Sequence, residues 1–539
     1  MKSMPSGHGF PVVLTSEGST ASDTFGSSIA GFISALPDSY IRDWVAHLYF
    51  KVKSDKNGIV RRAPYGLAKV QAALIRSGID AKIIDPNKLG KAVGPNTRIL
   101  GIYTMDPLGL SYGSGIVYWI LKLADLPYSG IPYISKSFLN VINDEAIKKN
   151  RKKNRDHLKI IVGGPAVWQI IDSKSQHKLG IDVIYEGEFE EEGPWLFHKI
   201  LRGEPVPNVV TAKRPVPVDL IPTIITPSIG GLVEVTRGCG RGCQFCTPTL
   251  SGMIRSIPFE GHIDKEIRLN IEVGNAKEIG LHSEEFFRYG ARGINPEPDK
   301  VINLVKNSYK VVKSYGDEYS ITTDFTTAAV VVQAPQMVRE ASQYMNEGGA
   351  RNFIEMGIET GSPRLLAILM PGKVLPFKPI QYPDIVENAI GILNDNGWIV
   401  VGTMIINLPG ETDNDVEKNL ELLDRLRKLR VMTFPLPFIP MGALRHRDFT
   451  ILDKMLENPL RREFVLMALS KAISEARTDA DIITSKMENP VVRRMMRHLI
   501  MATMGLVLRR YREKLEAMHS SNYNDEKSMQ LEDNGLKHA

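Results

Sequence analysis

Short apolar runs alternate with stretches of helical periodicity from residue 10 to residue 215. "PVVLTSEG" reads as a buried strand entering a polar turn, and "PYGLAKVQAALIRSG" spaces its apolar residues three and four apart until Gly78 closes the helix. "AKIIDP", "RILGIYTMDPLG", "LKIIVGGP" and "IDVIYEGE" follow as strands, each running into Gly, Pro or Asp. Apolar strands separated by helices predict a parallel sheet covered on both faces. An open, Rossmann-like α/β domain is therefore expected over 1–215, with its ligand loops at the carboxyl ends of the strands. Residues 20–62 break the rhythm and predict an insertion between the first strand and the first helix.

"VPVDLIPTIITP", 216–227, is proline-rich and predicts a linker. Within 228–445 six more strands are expected: "GLVEVTRG", "KEIGLHSEEF", "YSITTDF", "NFIEMGIETGS", "WIVVGTMIINLPGET" and "RVMTFPLPFIPMG". With helices between them they predict a partial (β/α)6 barrel of the TIM type, its chemistry gathered at the carboxyl ends. From 446 to 518 Met and Leu recur at core spacing, which predicts a helical domain, and the polar stretch 519–539 predicts disorder.

A chain of 539 residues exceeds what one core serves, and 43% hydrophobic with 24% charged residues is ordinary for a soluble protein. No charged-then-apolar leader and no long uncharged apolar run is present, so a cytoplasmic location and no membrane are expected. The net charge of +6 is modest. "KKNRKKNR" at 148–155 reads as a solvated loop, while "RRMMR" at 493–497 and "RRYR" at 509–512 fall on helices. Without groove-reading or aromatic elements this pattern disfavours nucleic acid and suits an acidic peptide or protein partner.

All three cysteines, Cys239, Cys243 and Cys246, lie in "TRGCGRGCQFCTP", 236–248. Three thiols fall one short of a structural zinc site, and the nearest histidines are His262 and His282. An iron–sulfur cubane held by three cysteines leaves its fourth iron for another ligand. Glycines at 238, 240 and 242 let a short loop wrap a bulky cluster, and Phe245 would shield one edge. Zinc completed by a distant ligand, or plain packing cysteines, remain alternatives.

The spacing of three residues and then two, with an aromatic before the last cysteine, resembles the signature of radical S-adenosylmethionine (SAM) enzymes. The resemblance implies that SAM chelates the open iron of a 4Fe-4S cluster, and that an electron from an external donor cleaves it to methionine and a 5′-deoxyadenosyl radical. Carried over by position, it implies SAM contacts from Phe245, from His282, Ser283 and Glu284 of "LHSEEF", and from Glu359 of "GIETGS" with Ser362 nearby. An ionised carboxylate only accepts hydrogen bonds, which suits a ribose diol. Leu408 and Pro409 of "NLPGET" would meet adenine through their backbone, with a Pro-Gly turn closing the strand as the alternative. Asp324 of "TTDF" would contribute to the same site or cap a helix.

The first half resembles the cobalamin-binding domain that precedes many radical SAM domains, on "GIYTMDPLGL", "IVGGPAVW" and "YEGEFEE". This implies contacts from Tyr103, Thr104, Met105, Asp106, Pro107, Leu108 and Gly109, from Gly163, Gly164 and Pro165, and from Glu186, Gly187 and Glu188. Gly163 and Gly164 would let the nucleotide tail pass close to the backbone, and "TSEGST", with Ser16 and Glu17, is the candidate neighbourhood beneath the cobalt. A sheet of this kind also binds flavins or nothing. None of the 11 histidines follows an aspartate by two residues, so no histidine lower ligand is implied.

Together the two resemblances imply a cobalamin-dependent (class B) radical SAM C-methyltransferase acting on an unactivated sp3 carbon. SAM would supply both the radical and, through methylcobalamin, the methyl group. "YTMDPLGL", "APYGLAKVQAALIRSG" and the helical carboxyl-terminal region are similar to archaeal members that methylate residues of methyl-coenzyme M reductase, those acting on glutamine being nearest. A peptide or protein substrate modified after translation follows, with basic helices near 493–512 helping to collect it. Cyclisation, rearrangement or natural-product chemistry without methyl transfer, and a corrinoid-binding sensor, are the alternatives; the lack of a second cysteine trio speaks against methylthiolation.

Overall fold

The computed structural model describes residues 8–23, 32–153, 157–212, 215–447, 452–485 and 490–535. Six parallel strands, β1 (Val12–Ser16), β2 (Ala81–Ile83), β3 (Ile99–Tyr103), β4 (Lys159–Gly163), β5 (Val183–Glu186) and β6 (Val209–Thr211), form the first sheet in the order β2-β1-β3-β4-β5-β6. Strand alternation divides the continuous apolar runs between two cores. Val12 and Leu14 pack with Leu67 and Phe197 under the helices Tyr65–Arg76 and Glu192–Leu201, whereas Val13, Leu100 and Ile160 pack with Phe138 on the other face. The chain leaves β1 for β2 and returns to β3 on the opposite side, which puts the topological switch at the carboxyl ends of β1 and β3.

Within the insertion, residues 24–31 lie outside the described residues. Its remainder seats the helix Asp43–Tyr49 through Ala46 and Phe50 against Tyr133. The basic run is helical over 148–153, within Glu145–Lys153, rather than a loop, because its lysines continue a helix begun by Glu145, Ala146 and Ile147; residues 154–155 lie outside the described residues.

The second series holds β7 (Leu232–Glu234), an antiparallel ribbon of β8 (Thr236–Arg237) and β9 (Arg255–Ser256), then β10 (Glu278–His282), β11 (Ser320–Thr323), β12 (Phe325–Thr326), β13 (Asn352–Glu359), β14 (Trp398–Ile406) and β15 (Val431–Pro437). Apart from the ribbon all pairs are parallel, in the orders β11-β10-β7 and β12-β13-β14-β15. The strand expected in "YSITTDF" breaks at Asp324 and passes from one sheet to the other.

The two α/β units share a core. Trp119, on the helix Tyr112–Leu123 that follows β3, is 1% exposed, and its indole N–H donates to the Pro435 carbonyl of β15 at 3.1 Å. The proline-rich connection is pinned rather than loose. Lys69 Nζ donates to Pro222 O at 2.7 Å, and Glu266, paired with Lys69, accepts from the Ile224 N–H at 3.0 Å. Beyond it, the helix Pro459–Thr478 inserts Phe464, Val465 and Ala468 into the same core as β15. The last helix, Pro490–Gly535, runs through residues 519–535, where polar composition predicts disorder; Glu, Lys, Met and Gln there are good helix formers. Among the described residues no helix is long and apolar enough to cross a membrane.

Trp119→Ala removes a buried ring and its hydrogen bond from the shared core. The expected cost is about 3–5 kcal/mol, read as a lower melting temperature together with faster proteolysis near residues 212–228.

Candidate active site

The cysteine loop hangs from the β8–β9 ribbon. Gly238, Gly240 and Gly242 adopt φ of 79°, 73° and 73°, and a Cβ on Gly238 would lie 2.7 Å from the Met253 carbonyl. The loop is fastened from both sides: the Cys239 N–H donates to Gly252 O at 3.2 Å, the Gln244 N–H to Leu369 O at 3.0 Å, and the Ala443 N–H to Gln244 O at 2.8 Å. From inside the loop the buried Arg241 donates to both oxygens of Glu285 at 2.6 and 3.0 Å and to the carbonyls of Gly372 and Leu375. Arg288, also buried, donates to Glu285 at 2.7 Å and to the Cys239 carbonyl at 2.8 Å. Burial works against the Glu285 carboxylate, but Arg241 and Arg288 outweigh it and hold the group at about 2.

Burial pushes the Cys239 thiol up to about 11 and raises Cys243 and Cys246 as well, with the Lys373 ammonium opposing the rise at the last two. Thiols in such surroundings ionise when a metal replaces the proton. Among the described residues no group of three or more His, Cys, Asp or Glu is gathered closely enough for a single metal ion. His262 bonds Lys69 at 3.1 Å and His282 bonds Asp324 at 2.9 Å, and among the described residues neither is grouped with the cysteines. Three sulfurs without a fourth protein donor fit a cubane, which spreads its thiolates over separate irons.

The carboxyl ends of β10 to β14 collect acids. His282 Nδ1 bonds Asp324 Oδ2; burial disfavours the imidazolium, yet Asp324 prevails and the imidazole pKa is raised. Glu284 is raised by burial. Glu359, in a left-handed conformation (φ 66°), pairs with the buried Lys373 at 3.1 Å. Glu355, absent from the sequence expectations, is pushed up to about 7 by burial and by Glu359, Asp324 and Glu284. Its only signal in the sequence is a charge inside the apolar strand "NFIEMGIE".

Several expected contacts are committed elsewhere. Ser283 is fully buried, 2.5 Å from Thr236 Oγ1, and accepts from the Glu285 N–H at 3.1 Å. Ser362 caps the helix Pro363–Leu369 and donates to Asp415 at 2.5 Å, so it does not turn to a ribose. Leu408 is core, 1% exposed, leaving the backbone of "NLPGET", which Glu411 closes by accepting from the Asn407 N–H at 3.0 Å. Phe245 packs against the main core.

At the carboxyl edge of the first sheet lies a cavity of ≈ 700 Å³. Tyr103, Gly163 and Glu186 line it from the sheet, and Arg237, Thr247 and Glu284 from the second unit. Below that mouth it descends over Leu14, Gly101 and Ile161, a row of paired residues across β1, β3 and β4, beneath Leu67 and Phe197. Gly101 makes the depression, since a Cβ there would lie 2.7 Å from Leu14 Cδ2.

The glycine expectation is corrected in part. All three glycines line the cavity, but a Cβ on Gly164 (φ 119°) would meet Thr104 O at 2.4 Å and one on Gly187 (φ 109°) would meet Ala212 Cβ at 2.6 Å, so these two also make room for neighbouring loops; Gly163 meets only Tyr185 O at 3.6 Å. Asp106 is spent on Ser111, Ser114 and Gln169, and Gln169 in turn accepts from the Leu108 N–H, which rigidifies the 103–109 loop with Pro107 and Gly109 inside it. Glu17, fully buried and raised by burial, accepts from Thr104 Oγ1 and the Met105 N–H beneath that loop, and Ser16 is buried beside it. Glu188 lines the cavity, and its carboxylate is already paired there. It takes both nitrogens of Arg255 at 2.6 and 3.0 Å, while Arg237 takes Glu190 at 2.8 Å and Glu234 at 2.7 Å. The ribbon that carries the cysteines is thus bound to the loop after β5.

Residues 233–423 match the Radical SAM superfamily. The tRNA-2-methylthio-N(6)-dimethylallyladenosine synthase of Orientia tsutsugamushi is 26% identical over 36% of this chain and 40% of its own length, and the ribosomal protein uS12 methylthiotransferase of Prosthecochloris aestuarii is 26% identical over 47% and 54%. The chain thus spans about two fifths to about half of these relatives. An uncharacterized methyltransferase of Pyrococcus horikoshii is 23% identical over 67% of this chain and 73% of its own. Among solved structures, TsrM, a radical S-adenosylmethionine methyltransferase from Kitasatospora setae with cobalamin and a [4Fe-4S] cluster bound, superposes with a TM-score of 0.51 at 11% identity, covering 81% of this chain and 74% of that one. The likeness to TsrM is one of fold.

Glu285→Gln leaves two buried guanidinium groups short of their counter-charge and is expected to cost about 3–5 kcal/mol, checked by thermal melting and by iron content after reconstitution. A second outcome concerns pH. Glu355 holds its proton up to about 7 in the fold against 4.5 ordinarily, so the folded state is favoured below 4.5 and loses that advantage as pH rises to about 7. Glu355→Gln abolishes this part of the decline in melting temperature of the cofactor-free protein.

Proposed function

We infer that this chain, a radical SAM enzyme by its residues 233–423, is a cobalamin-dependent methyltransferase acting on an unactivated carbon. The observation that carries the reading is the ≈ 700 Å³ cavity. Its apolar descent over Leu14, Gly101 and Ile161 suits an appended nucleotide, and its wide mouth, between the Gly163 loop and Thr247 beside Cys246, suits a flat macrocycle. Among the described residues lining it there is no histidine, in keeping with the missing Asp-x-His pattern.

When bound, the cluster with SAM supplies a hydrogen-abstracting radical, and cobalamin supplies a transferable methyl group. The chain's part is placement. Cys239, Cys243 and Cys246 would hold three irons, Glu284 and Asp324 would face the ammonium of SAM, and Glu359 its ribose. Positive charge arriving among Glu284, Asp324 and Glu355 favours their ionised forms, so the acid cup and the cation stabilise one another. The Glu188–Arg255 and Glu190–Arg237 pairs fix the corrinoid side against the cluster side.

Methylthio transfer, named for the curated relatives, requires a sulfur donor as well; the three thiols of this chain all belong to one loop. The glutamine of methyl-coenzyme M reductase and an external electron donor rest on the sequence resemblance. The test is anaerobic incubation of reduced, reconstituted protein with methyl-labelled SAM and candidate peptides. The expected outcome is 5′-deoxyadenosine with one labelled methylene unit added to carbon, both lost in Cys243→Ala; a product gaining sulfur supports the methylthio reading instead.

A further inference from the structure

A second cavity, of ≈ 350 Å³, adjoins the first and shares Pro165, Trp168 and Thr247 with it. Both α/β units wall it: Ser34 and Ile134 from the first, Thr247 and Met441 from the second. Its lining is uncharged in effect, because each oxygen of Asp106, the one charged residue there, is occupied by Ser111, Ser114 or Gln169. At the surface the rim is apolar and open. Phe32 is 49% exposed and Met105 40%, and the nearby Leu110 is 51% exposed. Tyr112 also lines the cavity, and its phenol is held protonated by burial and by the negative charge of Glu359 and Glu355.

We propose that this second cavity receives the methyl acceptor, and that the acceptor is an uncharged, largely apolar polypeptide segment led past Tyr112 into the space between the two cofactor sites. The proposal rests on the functional reading above and names its substrate class. A small molecule enclosed in the cavity would leave the rings and thioether of the rim in water, whereas a chain lying across Phe32 and Met105 covers them. A nucleic acid would find no cation among the lining residues for its phosphates. The shared wall at Pro165, Trp168 and Thr247 puts the bound segment next to the larger cavity, and the Tyr112 hydroxyl offers a donor to a peptide carbonyl.

The experiment uses the full chain, reconstituted with iron, sulfide and cobalamin under anaerobic conditions. The probe is a capped hexapeptide of Leu, Gly and Gln carrying one benzoylphenylalanine for photo-crosslinking. Labelling is expected on fragments containing Phe32, Met105 or Tyr112. Phe32→Glu, at an exposed position, should lower it at least tenfold with circular dichroism and cobalamin content unchanged, and Tyr112→Phe should lower it several-fold. Labelling elsewhere, insensitivity to Phe32→Glu, or equal competition by an oligonucleotide or by a Glu- or Lys-rich peptide overturns the site. Corrinoid loading without rim labelling sinks this site alone; failure to load corrinoid sinks the functional reading whatever the peptide does.

Discussion

Glu285 is the buried anion on which the geometry of the cysteine loop depends. Positioned just beyond β10, it binds Arg241 from within the loop and Arg288 from the turn that follows, and Arg288 in turn holds the Cys239 carbonyl. Two guanidinium groups and one carboxylate in a dry interior are tolerable only with near-complete pairing, which this arrangement provides through the added carbonyls of Gly372, Leu375 and Gly293. The loop is thereby preformed, with Cys243 buried, Cys239 and Cys246 half-buried, and its glycines in left-handed conformations. A metal cluster meets a site whose ordering cost was met when the chain folded.

The same logic extends outward. The ribbon β8–β9 bears the loop and also carries Arg237 and Arg255, which reach Glu188, Glu190 and Glu234. Across the opposite side Arg445, from the loop after β15, meets Glu186 at 3.3 Å. These ion pairs close the two units around the larger cavity, and Trp119 locks the shared core behind it. A radical reaction needs its partners held at fixed separation; partly buried ion pairs hold together the two units that would carry them.

Much of this is legible in the sequence. Apolar runs and their turns give five of the six strands of the first sheet and six runs of the second series, because alternation and Gly/Pro punctuation are local properties, and the cysteine spacing is likewise local; β6 and β9, of 3 and 2 residues, carry too little pattern to read. What escapes is pairing over distance. Arg241 and Glu285 are 44 positions apart, Arg255 and Glu188 67, and no periodicity joins them. Glu188 reads as a ligand rim and does line the cavity, but its anchoring of Arg255 does not show in the sequence, and Ser283 and Ser362 read as SAM contacts when one is buried against Thr236 and the other caps a helix. Gly164 reads as clearance for a ligand, while the space is taken by the Thr104 backbone. Lys373 and Glu355 carry no motif at all.

The central claim is that one shared space holds a three-cysteine cubane on its second-unit side and a corrinoid on its first-unit side. Anomalous diffraction from anaerobically grown crystals of protein loaded with iron, sulfide and cobalamin tests it directly. The account predicts an iron cluster bonded to Cys239, Cys243 and Cys246 only, and cobalt inside the cavity bounded by Gly163 and Thr247. A single zinc at the cysteines, or cobalt absent from that cavity at saturating corrinoid, would contradict it.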